Sequence, residues 1–234
     1  MRLSARSDKI RKILRTIYPD VKTQLFHDTP FQLLVATMLS AQCTDKQVNR
    51  VTRVMFNHLK APADFSDAPI KTIEGFIRST GFYHNKARNI KNCSRILLEI
   101  HDGRVPQTLE ELVELPGVGR KTANVVLGAA FGIPGMVVDT HVARISGRLG
   151  LTANKDPVKI EFDVMKIIPK SAWHDFCLQL IYFGRETCVA RKPKCPICPL
   201  HKLCPWPDKI NPSRAESSAQ STAKKNGRSN RKRN

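Results

Sequence analysis

The sequence predicts an all-α protein of about ten short helices. Three observations carry this. Apolar residues recur at helical spacing along most of the chain, which sets them on one face of a helix. Cap-forming residues stand ahead of several of these runs, as helix starts require. No run alternates apolar and polar residues for long enough to make a half-buried strand.

The elements follow in order. Ile10, Ile13, Leu14 and Ile17 mark the first helix, with Ser7 as candidate cap and Pro19 as stop. Thr29-Pro30 opens a second through Phe31, Leu34, Val35, Met38 and Leu39. Thr44 and Gln47 have capping-box spacing ahead of Val48, Val51, Met55 and Leu59. A shorter helix over Ile70, Ile73, Phe76 and Ile77 ends at Gly81, and a longer one carries Ala87, Ile90, Ile96, Leu97 and Ile100. Thr108 and Glu111 form another capping box ahead of Leu109, Leu112 and Val113. The next helix runs to about Phe131, closed by Gly132 and Pro134. Met136-Val137-Val138 reads as an extended linker, and Val142, Ile145 and Leu149 mark the helix after it. Two more cover about 157–168 and 172–183.

With 234 residues, 41% of them hydrophobic, the chain can bury a sizeable core. No apolar run approaches the roughly 18 residues of a membrane span. The N-terminal MRLSARSDKI lacks the apolar stretch of a secretory signal, so the expectation is a soluble intracellular protein. The formal net charge is +19. Residues 211–234 hold seven cations and one anion, Glu216, which leaves +13 on residues 1–210. Such a body points to a polyanionic partner, of which nucleic acid is the commonest. Residues 211–234 contain no Ile, Leu, Val, Phe, Met, Trp or Tyr and are expected to form a disordered basic tail.

Seven cysteines with no export signal argue against a disulfide framework. Cys43, Cys93 and Cys177 are scattered in apolar segments and read as small buried hydrophobes. Cys188, Cys195, Cys198 and Cys204 crowd together as C-x6-C-x2-C-x5-C. Four thiolates so close suit a tetrahedral metal or an iron–sulfur cluster. Structural zinc usually takes two cysteine pairs; only Cys195 and Cys198 are paired here, which favours the cluster. In a zinc version His201 is the substitute donor. The loop between Cys188 and Cys195 carries Arg191, Lys192 and Lys194 and would present a cationic knuckle.

The stretch LVELPGVGRKTANVV (112–126) turns sharply at Pro116-Gly117-Val118-Gly119. Glycine accepts positive φ and lets another backbone come close. The first amides of the following helix lack internal partners and sit at the positive end of its dipole, an arrangement that binds phosphate. An ordinary corner between two helices is the alternative. Arg120 and Lys121 in a first helical turn oppose the dipole, at a cost of a few tenths to about 1 kcal/mol. This suits either phosphate contact or a lysine used as a nucleophilic amine. In VVDTHVARI (137–145), Asp139 stands where an N-cap belongs. A carboxylate there could also accept a proton or stabilise a developing cation.

Taken together, LSAQCTDKQVN (39–49), GFYHNKARNI (81–90), LPGVGRKTANVV, VDTHVARI and the four-cysteine spacing resemble, in content and order, the endonuclease III family of the helix–hairpin–helix DNA glycosylases. The resemblance covers about residues 5–210. It implies two helical lobes with the active site in the cleft between them. One is a six-helix barrel over 23–134, with the helix–hairpin–helix at 109–131. The other combines 1–22 with 135–210 and holds a [4Fe–4S] cluster on the four clustered cysteines. It further implies Lys121 as nucleophile and Asp139 as catalytic carboxylate. Gln42 would fill the gap left by a flipped base. Phe82 stands where many relatives carry a wedging Leu. The implied partner is double-stranded DNA with damaged pyrimidines or abasic sites, met by a monomer in the bacterial cytoplasm at the nucleoid. Two other readings remain: an adenine or mismatch glycosylase with weak lyase activity, and a non-catalytic helix–hairpin–helix DNA-binding module. Lys121 argues against the first, and Lys121 with Asp139 against the second.

Overall fold

The computed structural model describes residues 2–210 and is helical, with no strand among them. The basic tail expected at 211–234 lies outside the described residues. Contacts divide the chain into two compact units. One comprises Lys22–Val137 with Ser171–His174; the other runs to Val21, covers Val138–Lys170 and resumes at Asp175.

The first unit holds α2 (Pro30–Leu39), α3 (Asp45–His58), α4 (Pro62–Asp67), α5 (Ile70–Ile77), α6 (Tyr83–His101), α7 (Leu109–Val113) and α8 (Arg120–Phe131). Helix α2 is its axis. All its residues after Pro30 are buried, as a helix apolar all round requires. Around it pack Val48 and Met55 of α3, Phe65 of α4, Ile73 and Ile77 of α5, Ile90 and Leu97 of α6, and Val126 of α8. Phe65 meets Phe31 edge-on at 5.4 Å.

Local signals set the helix starts. Thr29 Oγ1 accepts from the Gln32 amide at 3.2 Å, and Thr44 Oγ1 from Gln47 at 3.3 Å. The Thr44 box is only half made, because the Gln47 side chain donates instead to Ser79 Oγ at 2.6 Å. Helix α4 has no counterpart in the periodicity. Asp64 creates its start by accepting the Lys60 and Ala61 amides at 2.7 and 2.9 Å. Its end is held from α6, where Lys91 Nζ donates to Ser66 O and Ala68 O.

The second unit contains α1 (Leu3–Ile17), α9 (Thr140–Arg148), α10 (Pro157–Ile167) and most of α11 (Trp173–Glu186). Ser7 is not the cap of α1. The helix starts four residues earlier, and Ser7 is buried inside it, its hydroxyl donating to Ser4 O at 2.8 Å and Ile167 O at 3.2 Å. A serine in a helix interior satisfies its hydroxyl on a carbonyl one turn back. Ile10 and Leu14 of α1, Ile145 of α9, Val164 of α10 and Phe176, Leu180 and Phe183 of α11 are fully buried or nearly so. Of the scattered cysteines, Cys93 and Cys177 are buried and Cys43 is half-buried. Burial pushes the Cys93 thiol up to about 12.

Phe65→Ala should cost about 3–5 kcal/mol, the usual loss for a fully buried phenylalanine. Chemical denaturation of the two proteins measures it.

Candidate active site and metal centre

The turn between α7 and α8 is fixed by one inserted side chain. Val118 is buried, as are Leu112 and Leu115 before it, and its amide donates to Leu115 O at 3.0 Å. The flanking glycines are exposed, and they serve different ends. Gly117 has φ +78°, and a Cβ on it would lie 2.8 Å from atoms of the Asn89 side chain on α6. Gly119 is extended, with φ −91°, so positive φ is not its reason. Nothing lies within 4 Å of a Cβ built there. As N-cap of α8, Gly119 offers no side chain to the first-turn amides, and that turn has no acidic residue. The positive end of α8 therefore opens beside an uncrowded glycine, with Lys121 exposed and Arg120 half-buried.

Four non-glycine residues among those described have positive φ: Gln42 (53°), Phe82 (49°), Asp102 (50°) and Lys192 (52°). Asp102 ends α6. The other three are residues that the sequence singled out for DNA contact. Left-handed backbone at such residues costs about 1–3 kcal/mol and persists only where the surroundings impose it. Gln42 is exposed in the loop between α2 and α3, and Phe82 is the N-cap of α6 with 66% of its surface in solvent. A cavity of about 750 Å³ begins two residues past Gln42, lined by Thr44, Lys46, Arg50, Arg53 and the exposed Phe26. The Arg53 guanidinium lies 5.4 Å from the Phe26 ring centroid.

Asp139 takes the cap role, its Oδ1 accepting from the Val142 amide at 2.8 Å at the start of α9. It is half-buried. The linker preceding it is tethered to α8: Asn124 Nδ2 donates to Met136 O at 3.2 Å, and a Cβ on Gly135 would come within 2.9 Å of Asn124 Oδ1. Two residues past Asp139, burial makes His141 harder to protonate. Asp139 counteracts this, and Arg144 and Arg185 add to it.

The four clustered cysteines line one cavity with Arg148, Leu149, Phe183, Lys194, His201, Trp206 and Lys209. None is in a disulfide. The cationic knuckle is built from inside. Arg148 donates to Val189 O and Ala190 O at 2.9 Å each and to Cys188 Sγ at 3.3 Å, with Trp206 stacked 4.1 Å away. Arg144 reaches Cys188 O at 3.0 Å. Lys209 bridges His201 O and Cys204 O at 3.1 and 2.7 Å. Arg191, Lys192 and Lys194 are left exposed on the loop. Burial pushes the Cys198 thiol up to about 11 and raises Cys204 as well, so a metal group entering here must displace protons. Four sulfur donors among three cations fit an anionic iron–sulfur group. No three His, Cys, Asp or Glu among the described residues are gathered as one metal ion needs.

Two family models match. Residues 35–170 match the HhH-GPD superfamily of base excision DNA repair proteins, and residues 188–204 the iron–sulfur binding domain of endonuclease III. The chain is 52% identical to endonuclease III of Synechocystis sp. over 201 residues, covering 86% of this chain and 92% of that one. The chain belongs to the endonuclease III family. Its fold matches a structure of a non-covalent endonuclease III–DNA complex with a TM-score of 0.84 and 44% identity, covering 88% of this chain and 96% of the other. It matches equally, with 97% of the other chain covered, a trapped endonuclease III–DNA covalent intermediate. Like this family's iron–sulfur domain, residues 188–204 hold a [4Fe–4S] cluster.

Several residues of this endonuclease III-family site escape a sequence reading. Asn124, Arg144 and Arg148 act through main-chain carbonyls 12 to 44 positions away, and Lys209 through His201 O and Cys204 O in its own segment; no local pattern marks them.

Gly117→Ala should cost about 1–3 kcal/mol, from its φ and its contact with Asn89. Gly119→Ser, which supplies a cap, should raise stability by a few tenths of a kcal/mol; denaturant midpoints of the two variants separate the roles. The pH dependence follows from His141. Its folded value lies below the ordinary 6.5. The stability from keeping it neutral is full above that pH and is lost as pH falls through the folded value. Between about pH 7.5 and pH 5, His141→Gln should lose less stability than the parent, measured by denaturation at each pH.

Proposed function

We propose that this chain removes damaged pyrimidines from duplex DNA and then cuts the strand 3′ to the abasic site. Family membership makes it a base excision repair glycosylase and lyase. The observation that carries the assignment of residues is Lys121, exposed in the first turn of α8 one residue past Arg120 and the open Gly119. The amides of that turn hold a DNA phosphate, and this sets the Lys121 amine against the sugar of the held strand. A stacked base hides its glycosidic bond, so the damaged nucleotide is extruded. Gln42 occupies the vacated place and Phe82 wedges the neighbouring step. Lys46, Arg50, Arg53, Arg191, Lys192 and Lys194 extend the phosphate contacts.

The chemistry uses few groups. Lys121 Nζ attacks C1′ of the deoxyribose, the C1′–N bond breaks, and the base departs with its electron pair and takes up a proton. Asp139 accepts the proton released by the attacking amine and stabilises the developing positive charge. The sugar ring opens to a Schiff base on Lys121. Loss of a C2′ proton then expels the 3′ phosphate, which is β-elimination. Cys188, Cys195, Cys198 and Cys204 ligate the cluster, which fastens the cationic loop and takes no part in bond breaking. The enzyme acts as a monomer at the bacterial nucleoid.

Borohydride reduction during reaction with a lesion-bearing duplex should trap a protein–DNA adduct from the parent protein and none from Lys121→Ala. No adduct from the parent, or an undiminished one from the variant, overturns the lyase assignment to Lys121. Asp139→Asn should slow adduct formation about 10²–10⁴-fold, as loss of a positioned acid or base does.

A further inference from the structure

One buried charge in the barrel unit lies outside the chemistry just described. Lys86, on α6, is 7% exposed. Its Nζ donates to two main-chain carbonyls, Leu39 O and Thr80 O, each at 2.9 Å. Leu39 is the last residue of α2, three before Gln42, and Thr80 stands two before Phe82. The two acceptors are 41 positions apart in the chain, yet one ammonium holds both. Gly81 and Phe82 have consecutive positive φ of 70° and 49°, and Gln42 has 53°. Gln47, in the first turn of α3 just past the Gln42 loop, makes a second tie to the segment before Phe82 through Ser79. Burial disfavours the charged form of Lys86, with only Cys43 acting the other way.

We propose that Lys86 is a positioning residue that sets the spacing between Gln42 and Phe82, so that both enter the duplex as one rigid pair. This rests on the reading of Gln42 and Phe82 as duplex-inserting residues. A helix end needs a donor for its last carbonyls, but a surface lysine or water would serve it without burying a charge. A buried ammonium is costly unless its donors are used. Spent on both loops, it supplies what a strained conformation needs in order to persist, namely surroundings that allow no other. Two separate entries into the duplex would each lose ordering entropy; a pre-set pair loses it in folding instead.

The test uses the full chain with its cluster, well below its melting temperature. Lys86→Met, Gln42→Ala, Phe82→Ala and the double variants of Lys86→Met with each are compared. Two readouts are taken: single-turnover base excision at saturating DNA, and the fluorescence of 2-aminopurine placed beside the lesion, which reports unstacking. Lys86→Met should slow excision about tenfold and blunt the fluorescence rise, while the loss shrinks in the Gln42→Ala and Phe82→Ala backgrounds, as coupled residues require. Affinity for undamaged duplex should stay within about twofold, since phosphate contacts dominate it. Excision by Lys86→Met at the parent rate, or a full additional loss in the double variants, overturns the proposal. Parent-rate excision by both Gln42→Ala and Phe82→Ala overturns the insertion reading itself, and the proposal with it. Should Lys86→Met fail to fold, the same cycle with Lys86→Gln, which keeps a donor but shortens its reach, decides by the same outcomes.

Discussion

In the proposed reading α8 grips a phosphate; its start then carries no side chain over its first amides, and something else must hold it in place. Here that something is Val118. Its burial against the core below α7 and α8 pins the turn, while the glycine on one side closes the angle and the glycine on the other clears the approach. The usual stabilising device, a Ser, Thr, Asp or Asn cap, is absent where it would obstruct. At α9 the same device is present as Asp139. The two helix starts thus differ: α8 begins without a side-chain cap, and α9 begins with a carboxylate.

The basic composition has two uses, and only one faces outward. Lys86, Lys91, Arg144, Arg148 and Lys209 donate to main-chain carbonyls within their own units. Arg6 does so as well, reaching Gly150 O at 2.7 Å. These charges are structural, and the net charge overstates what is offered to DNA. Of those that remain outward, Arg191, Lys192 and Lys194 sit on the loop that Arg148 shapes from beneath. Charge-assisted hydrogen bonds are stronger than neutral ones, which suits them to holding loops that have little apolar surface of their own.

How much of this could be read in advance depends on range. The caps at Thr29, Thr44, Thr108 and Asp139 were legible, because the residue and the amides it serves are three apart. So was the end of α8 at Gly132. The C-x6-C-x2-C-x5-C spacing announced its cavity because all four donors come from one short segment. Helix α4 was not legible: six residues make less than two turns, and its end is held by a lysine from another helix. Ser7 misled because a serine ahead of an apolar run is usually a cap, whereas here its hydroxyl meets a carbonyl 160 residues away. Lys86 and Arg148 left no trace in the pattern, since a long cation that seeks a remote carbonyl looks the same in sequence as one that seeks water.

The way the chain is shared between its two units has a consequence for its synthesis. The unit that carries α2 to α8 is nearly continuous, spanning Lys22–Val137 with only Ser171–His174 added. The other begins with α1 and closes only when α11 arrives, Tyr18 bonding Glu186 across 168 residues. On the ribosome, where domains fold as they emerge, α1 leaves the exit tunnel before α2 to α8 and is completed after them. Its apolar stripe, including Ile10 and Leu14, must wait through the making of an entire neighbouring unit before it finds the surface that covers it.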